Sequence, residues 1–409
     1  MIPAYNDYSP GLSQSERLMP QEEMLETGRR ESQLTIGLPK EKPYDENRIA
    51  LVPEAVNLIV ENGHRVMIET GAGNRAHFQD KEYSEAGGEI VEKASDIFKA
   101  DIVLKVGPVT SEEIDMMRER QTLFSSLNTM HRDREYFRQL SQRKTTAIAF
   151  ELIRDASGTY PLRRSVSEIV GKATIMIASY YLSSESYGRG VMLGGFPGIH
   201  PTEVLIIGAG TVGENAARVA IGLGAMVKVY DYSVHRLRRL QEKLRMQVFT
   251  SVIQPGLLAR ALETADIVIG AVHSAQGKAP CLITDEMVSN MKSGSVIIDV
   301  SIDQGGCFET SRLTNHNDPV FIRHGVTHYC VPNIASGFPH TSSFILSNYF
   351  APVLVEIGRS GGIDNYLRMN YGFSRGTYLY NGILTNSHIG ELFHLPFQDI
   401  DLIMSAFRG

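Results

Sequence analysis

The chain has no tryptophan and only three cysteines, Cys281, Cys307 and Cys330, in 409 residues. They are odd in number, widely spaced and without a CxxC pair. That excludes a disulfide framework, gives no metal site, and fits a reduced, cytoplasmic protein. A basic surplus is also lacking, since 40 Lys plus Arg stand against 46 Asp plus Glu for a net charge of −6. Nucleic-acid binding draws on a concentrated basic stripe that displaces counterions, so it is not the main function. No apolar run approaches the roughly 20 residues that cross a bilayer, which excludes direct membrane insertion. The opening MIPAYNDYSPGLSQSERL lacks the apolar core of a secretory signal. With 43% hydrophobic and 21% charged residues, wholesale disorder is excluded as well. At about 150 residues per domain the length allows two or three units. Glycine, with 37 residues, is the one count that points further.

Residues 1–33 are polar and read as an extension with room for one short helix. From Leu34 onward short apolar strands alternate with helical segments. TIGLPKE, RVMIET, ADIVLKVGP, TLFSSL and TTAIAFEL are the strands, and Pro53–Asn62 carries Ala55, Val56, Leu58 and Ile59 at helical spacing. Such alternation predicts a parallel sheet with crossover helices and ligands at the strands' carboxyl ends. Ser165–Leu182 is expected to be helical with Ile169, Ala173, Ile177 and Tyr180 along one side. The glycine-rich GRGVMLGGFPGIHP that follows is too irregular for a helix and fits an inter-domain surface. A second α/β unit runs from Glu203 to about Asn333. Thr341–Ile357 is again helical, with Thr341, Ser342 and Ser343 as candidate N-caps. The tail carries no nucleotide fingerprint and is expected to return to the first unit.

The most informative stretch is EVLIIGAGTVGENAARVAIGLGAMVKVYD. A buried strand, Val204–Ile207, runs into Gly208, Gly210 and Gly213, and then into a helix with Ala216, Ala217 and Ala220 on its packed side. Gly208 permits the tight turn, Gly210 lets the backbone approach a pyrophosphate, and Gly213 lets helix and strand pack closely. The next strand ends in Asp231, 18 residues beyond Gly213. A carboxylate there accepts hydrogen bonds from an adenosine ribose diol and repels a 2′-phosphate, which favours NAD over NADP. Arg236 lies either against the adenosine phosphates or in solvent. Past the later strand of GSVIIDVSIDQGG stand Asp299 and Asp303, followed by Gly305 and Gly306. Asp303 either accepts a proton beside the reacting carbon or caps backbone N–H groups. Asn333, after HYCVPN, either hydrogen-bonds a substrate oxygen or forms a turn. Cys307 and Cys330 read as buried packing.

IGLPKE with ENRIAL, LKV before a proline, SEIVGK, GAGTVG, DIVIGAV with GKAP, and SVIIDVSIDQGGCFETS occur in this order over roughly residues 34–345. Together they resemble the alanine dehydrogenase and transhydrogenase alpha-subunit family, and alanine dehydrogenase more closely. The resemblance implies an α/β fold of two Rossmann-like, doubly wound parallel-sheet domains with the active-site cleft between them. The outer, substrate domain is then discontinuous, 34–161 and 340–409, and the NAD-binding domain is 162–339. It implies NAD-dependent oxidative deamination of L-alanine to pyruvate and ammonia, in a homo-oligomer, often a hexamer. Arg48 matches the arginine that clamps the carboxylate, Asp303 the catalytic aspartate, Asn333 the active-site asparagine and Ser167 a serine beside the nicotinamide. Gly208, Gly210, Gly213, Asp231 and Arg236 fall on the dinucleotide site, and Val272 on the wall near the nicotinamide ribose.

Two positions depart from the family pattern. Gly107 in LKVGP replaces the family's second lysine, and Asn128 in LFSSLN replaces its histidine. An asparagine cannot shuttle a proton near neutral pH. Lys105, two residues back and so about 6.6 Å away along a strand, could reach into the space at Gly107. His131 could replace the imidazole. The preferred expectation is that Lys105 is structural and His131 an ordinary loop residue. The alternative function is therefore an NAD(H)-binding, transhydrogenase-like subunit or a non-catalytic homologue.

Overall fold

The computed structural model describes residues 32–41, 46–127, 132–274 and 277–406. The expected short helix in the N-terminal extension, and both Asn128 and His131, lie outside these residues.

The first sheet grows outward from β1 (Thr35–Leu38). β2 (Arg65–Glu69) and β3 (Glu89–Val91) extend it on one side, and β4 (Ile102–Leu104), β5 (Thr122–Ser125) and β6 (Thr146–Ala149) on the other. All five of these pairings are parallel. The second sheet grows from β7 (Glu203–Ile207), with β8 (Met226–Asp231) and β9 (Phe249–Val252) on one side. On its other side come β10 (Ile267–Gly270), β11 (Val296–Asp299) and, past them, β13 (Val326–Tyr329), with β12 (Val320–Arg323) at the edge. Sequence patterning explains this layout. Val204–Ile207, Ile267–Ile269 and Val296–Ile298 are unbroken apolar runs with no exposed surface, as strands covered by helices on both faces must be.

The chain after the second sheet does return to the first. The helix Pro339–Arg359 carries it back, and β14 (Thr377–Tyr380) and β15 (Ile383–Leu384) join beside β6. They pair antiparallel, as β12 does with β13, so each sheet is parallel at its centre and mixed at an edge. Both sheets have a switch point, between β1 and β4 in one and between β7 and β10 in the other. There the connections leave in opposite directions, and a crevice opens at the carboxyl ends.

Two expectations about helices change. In the helix Pro161–Ser183 the buried side is Val170, Ala173, Thr174, Ala178, Tyr181 and Leu182, while Tyr180 is 70% exposed and Ile169 and Ile177 are only half-buried. The cause is Gly171, where a Cβ would come 2.4 Å from the Val212 carbonyl, so this helix lies hard against the helix Thr211–Gly222. The predicted caps also fail. Pro339, whose missing N–H costs nothing in a first turn, starts the later helix. Ser342 and Ser343 thus fall inside it, and Ser342 Oγ donates to the Ala335 carbonyl. Ser343 Oγ accepts from Ile49 N (2.9 Å) and Ser347 Oγ from Val52 N (2.7 Å). These buried serines fasten the segment 46–52, the start of the site described below, to the returning helix.

Removing such a hydroxyl leaves a buried N–H without a partner, at a cost of about 1–3 kcal/mol. Ser347→Ala should therefore lower the denaturation midpoint measurably. Thr341→Ala, on the exposed side of the same helix, should change stability by less than about 0.5 kcal/mol. Chemical unfolding followed by circular dichroism compares the two, and equal midpoints would contradict the assignment.

Candidate active site

The second sheet's switch point holds the glycine loop. Gly208 has φ +112°, and a Cβ on it would sit 2.3 Å from the Ala271 carbonyl on the loop after β10. A Cβ on Gly213 would fall 1.9 Å from the Gly208 carbonyl, so only glycine lets the helix begin this close to β7. Gly210 differs, because nothing lies within 4 Å of its Cβ direction. It is the N-cap of the helix Thr211–Gly222 and supplies no side-chain cap, which leaves the first-turn N–H groups facing open space. Asp231 is buried at the end of β8. Its Oδ2 accepts from Ala209 N (2.7 Å) and its Oδ1 from Ser233 N (2.8 Å). The carboxylate therefore shapes the glycine loop, and each oxygen keeps a lone pair for a hydroxyl donor. Arg236 Nη1 lies 3.9 Å from Asp231 Oδ2 with its side chain half exposed.

Val272 sits across the same crevice, held through its N–H and its carbonyl by Ser301 Oγ (3.0 and 2.9 Å). Ser167 is half-buried on the helix Pro161–Ser183, which packs against the glycine-loop helix. Asp299 is wholly buried and structural, accepting from Ser301 N, Cys307 N and Ser311 Oγ. Cys307 and Cys330 are buried thiols, while Cys281 is exposed.

The two halves meet at Arg48. Its Nε and Nη2 both donate to Glu46, at 2.6 Å to Oε1 and 2.6 Å to Oε2. Its Nη2 donates also to Asn333 Oδ1 (3.0 Å), and Asn333 Nδ2 donates back to Glu46 Oε2 (2.8 Å). Asn333 adopts a left-handed backbone (φ +53°), and its N–H reaches Asp303 Oδ1 (3.2 Å). Next to Arg48, Asn47 bonds Ser336 through N (2.9 Å) and Nδ2 (3.2 Å). Arg48 and Glu46 are each less than a tenth exposed, whereas Asp303 is open to solvent. Burial would raise the Glu46 pKa, but the Arg48 charge and hydrogen bonds outweigh it and hold the carboxyl below its usual range. The side-on edge of the guanidinium is thus already spent on Glu46. Both hydrogens of Nη2 are committed, to Glu46 and to Asn333, so Nη1 is the donor that remains for an incoming carboxylate.

Lys105 does not enter this space. It is 1% exposed, and its Nζ lies 2.5 and 2.6 Å from the two oxygens of Glu113 on the helix Ser111–Met116. The place at Gly107 is taken instead by Glu41, whose Oε2 lies 3.0 Å from where a Cβ on residue 107 would be. Glu41 follows β1 and accepts from Val106 N (2.5 Å) and Gly107 N (3.2 Å) beyond β4, bridging the first sheet's switch point. Burial, together with the nearby Glu46 charge, pushes its pKa up to about 8 against the pull of Lys105 and the two N–H groups. Neither Glu41 nor Glu46 had a role in the sequence reading. The available signal was a carboxylate following directly on a strand end in IGLPKE.

Comparison with known proteins agrees with this architecture. The family model described as "Alanine dehydrogenase/PNT, N-terminal domain" matches residues 37–170, and "Alanine dehydrogenase/PNT, C-terminal domain" matches 174–387. A protein named alanine dehydrogenase from Staphylococcus saprophyticus is 37% identical over 90% of this chain and 99% of its own length. Alanine dehydrogenase 2 of Staphylococcus aureus is 36% identical over the same shares. A solved structure titled L-alanine dehydrogenase superposes with a TM-score of 0.82 at 36% identity, covering 88% of this chain and 99% of that one. A transhydrogenase from Sinorhizobium meliloti shares the fold, with a TM-score of 0.72 at 24% identity over 86% of this chain and 99% of that one. Two matched domain models that span most of the chain, joined at the cleft where Arg48 meets Asn333, place this protein in the alanine dehydrogenase/PNT family.

Proposed function

We propose that this chain is an NAD-dependent amino-acid dehydrogenase that oxidises L-alanine to pyruvate and ammonia. The observation that carries the reading is the polar chain Glu46–Arg48–Asn333–Asp303, which links a buried guanidinium of the first half to a solvent-exposed carboxylate of the second. The loop fits a dinucleotide. Gly210 leaves room for the pyrophosphate, the uncapped helix start offers N–H donors, and Asp231 retains acceptor capacity for a ribose diol. When bound, NAD supplies the two-electron acceptor.

The chain's own residues do the rest. Arg48 orients the substrate through its Nη1 edge, where charge-assisted bonds to a carboxylate are strong. Glu46 fixes the plane of the guanidinium, and Asn333 couples that plane to Asp303. Exposed to solvent, Asp303 is placed to order the water that hydrolyses the oxidised product. Ser167 and Val272 bound the nicotinamide end, and Arg236 the adenosine end.

The protein also acts as a homo-oligomer in this account. Met176 and Tyr180 on one helix, and Met192, Phe196 and Ile199 on the neighbouring glycine-rich segment, are all at least 45% exposed. An apolar surface of that kind favours association with another copy.

L-Alanine with NAD should give NADH at a rate proportional to protein. NAD binding without any NADH formation would instead favour a transhydrogenase-like or non-catalytic role. Arg48→Lys should raise KM for the amino acid about 10- to 100-fold, the equivalent of one charge-assisted bond of ~1.5–3 kcal/mol, with NAD affinity retained. Gly213→Ala should abolish NAD binding in calorimetry, because its methyl meets backbone rather than a yielding side chain. Light scattering should give a multiple of the 45.3 kDa chain mass, and a monomer at working concentration contradicts the oligomer.

A further inference from the structure

Oxidative deamination releases one proton, and the described part of the cleft offers no lysine or imidazole where the family pattern has them. Lys105 is spent on Glu113, and position 107 carries no side chain. The group filling that gap is a carboxyl. Glu41 spans the β1–β4 crevice through the Val106 and Gly107 N–H groups, and its Oε2 faces the space that a side chain at 107 would occupy. Glu46 Cβ lies 4.0 Å from the same position, so Glu41 and the Glu46–Arg48 pair border one space, and a substrate held by its carboxylate on Arg48 would have Glu41 within the same cleft. Among the described residues the charged groups facing Glu41 are Lys105 and Glu46, with Arg48 beyond them.

We propose that Glu41 is the group that carries the reaction's proton in this cleft. The inference rests on the dehydrogenase function proposed above. In the oxidative direction the Glu41 carboxylate takes a proton from the substrate ammonium. The freed nitrogen lone pair forms the C=N bond as the Cα–H bond breaks, and the hydrogen leaves with its electron pair to the dinucleotide, which is reduced while the amine is oxidised. Water then converts the iminium to the keto acid, and the nitrogen departs as ammonium. The proton on Glu41 is the net proton of the reaction and returns to solvent. A carboxyl buried enough to titrate at about 8 suits this task, since it exchanges its proton close to neutral pH.

Oxidation needs ionised Glu41, so kcat/KM for the amino acid should rise with pH through about 8, and the reverse amination should fall through the same point. Glu41→Gln should cost at least about 100-fold in kcat and remove that limb, whereas Glu41→Asp should keep it. A readout independent of turnover is the infrared spectrum of the cofactor-free protein. Its carboxylic-acid C=O band should disappear as pH rises through about 8, and Glu41→Gln should lack that titrating band. A wild-type protein that makes no NADH overturns the dehydrogenase function itself, and with it a catalytic Glu41. An active wild type with no limb near 8, or a limb unmoved in Glu41→Gln, overturns Glu41 alone.

Discussion

The hydrogen-bonded triangle of Glu46, Arg48 and Asn333 is the constraint on which the rest of the structure depends. It joins a segment that follows β1 to a turn that follows β13, residues 285 positions apart in sequence. Burying a guanidinium and a carboxylate is costly unless their hydrogen bonds are met, and here each satisfies the other while Asn333 completes both. Breaking one partner leaves a buried charge uncompensated. The triangle therefore ties the two halves together, and the serines of the returning helix hold its near side. That geometry leaves Nη1 of Arg48 as its uncommitted donor.

Each sheet contributes its switch point, and the two are put to different use. At β7–β10 the crevice is lined by backbone, with Gly208 and Gly213 set too close for a Cβ, open space at Gly210 and N–H groups exposed for an anion. At β1–β4 the crevice is closed by a carboxyl that accepts two N–H groups from the opposite loop. One crevice fits a phosphate-bearing cofactor. The other holds a buried carboxyl whose pKa burial pushes up to about 8. On the function proposed here, that arrangement divides cofactor binding from proton movement.

The legible parts of the sequence were those whose cause is local. Buried parallel strands read as continuous apolar runs, and the glycine loop declares itself by spacing and context. Family motifs singled out Arg48, Asp303 and Asn333, which the fold links by hydrogen bonds. The missed parts have distant causes. Ser342 and Ser343 look like caps in a linear string, but Pro339 starts the helix earlier and the hydroxyls serve other segments. The buried face of Pro161–Ser183 follows from the partner that Gly171 admits, and periodicity alone pointed to Tyr180. Glu41 went unassigned because its partners, Val106 and Gly107, stand 65 and 66 residues away. The sequence did show that Gly107 removes a cation, and only the fold showed what occupies the space.

Taken together, these interactions support the proposal of a cleft that binds an amino acid through Nη1 of Arg48 and moves its proton without a lysine at 107. The most direct measurement is a crystal structure of the full chain with NADH and pyruvate. The account predicts the keto-acid carboxylate on Arg48 Nη1, with Glu46 still holding the side-on edge and Glu41 facing the reacting carbon. A keto acid bound away from Arg48, or Lys105 swung out from Glu113 to meet it, would contradict it.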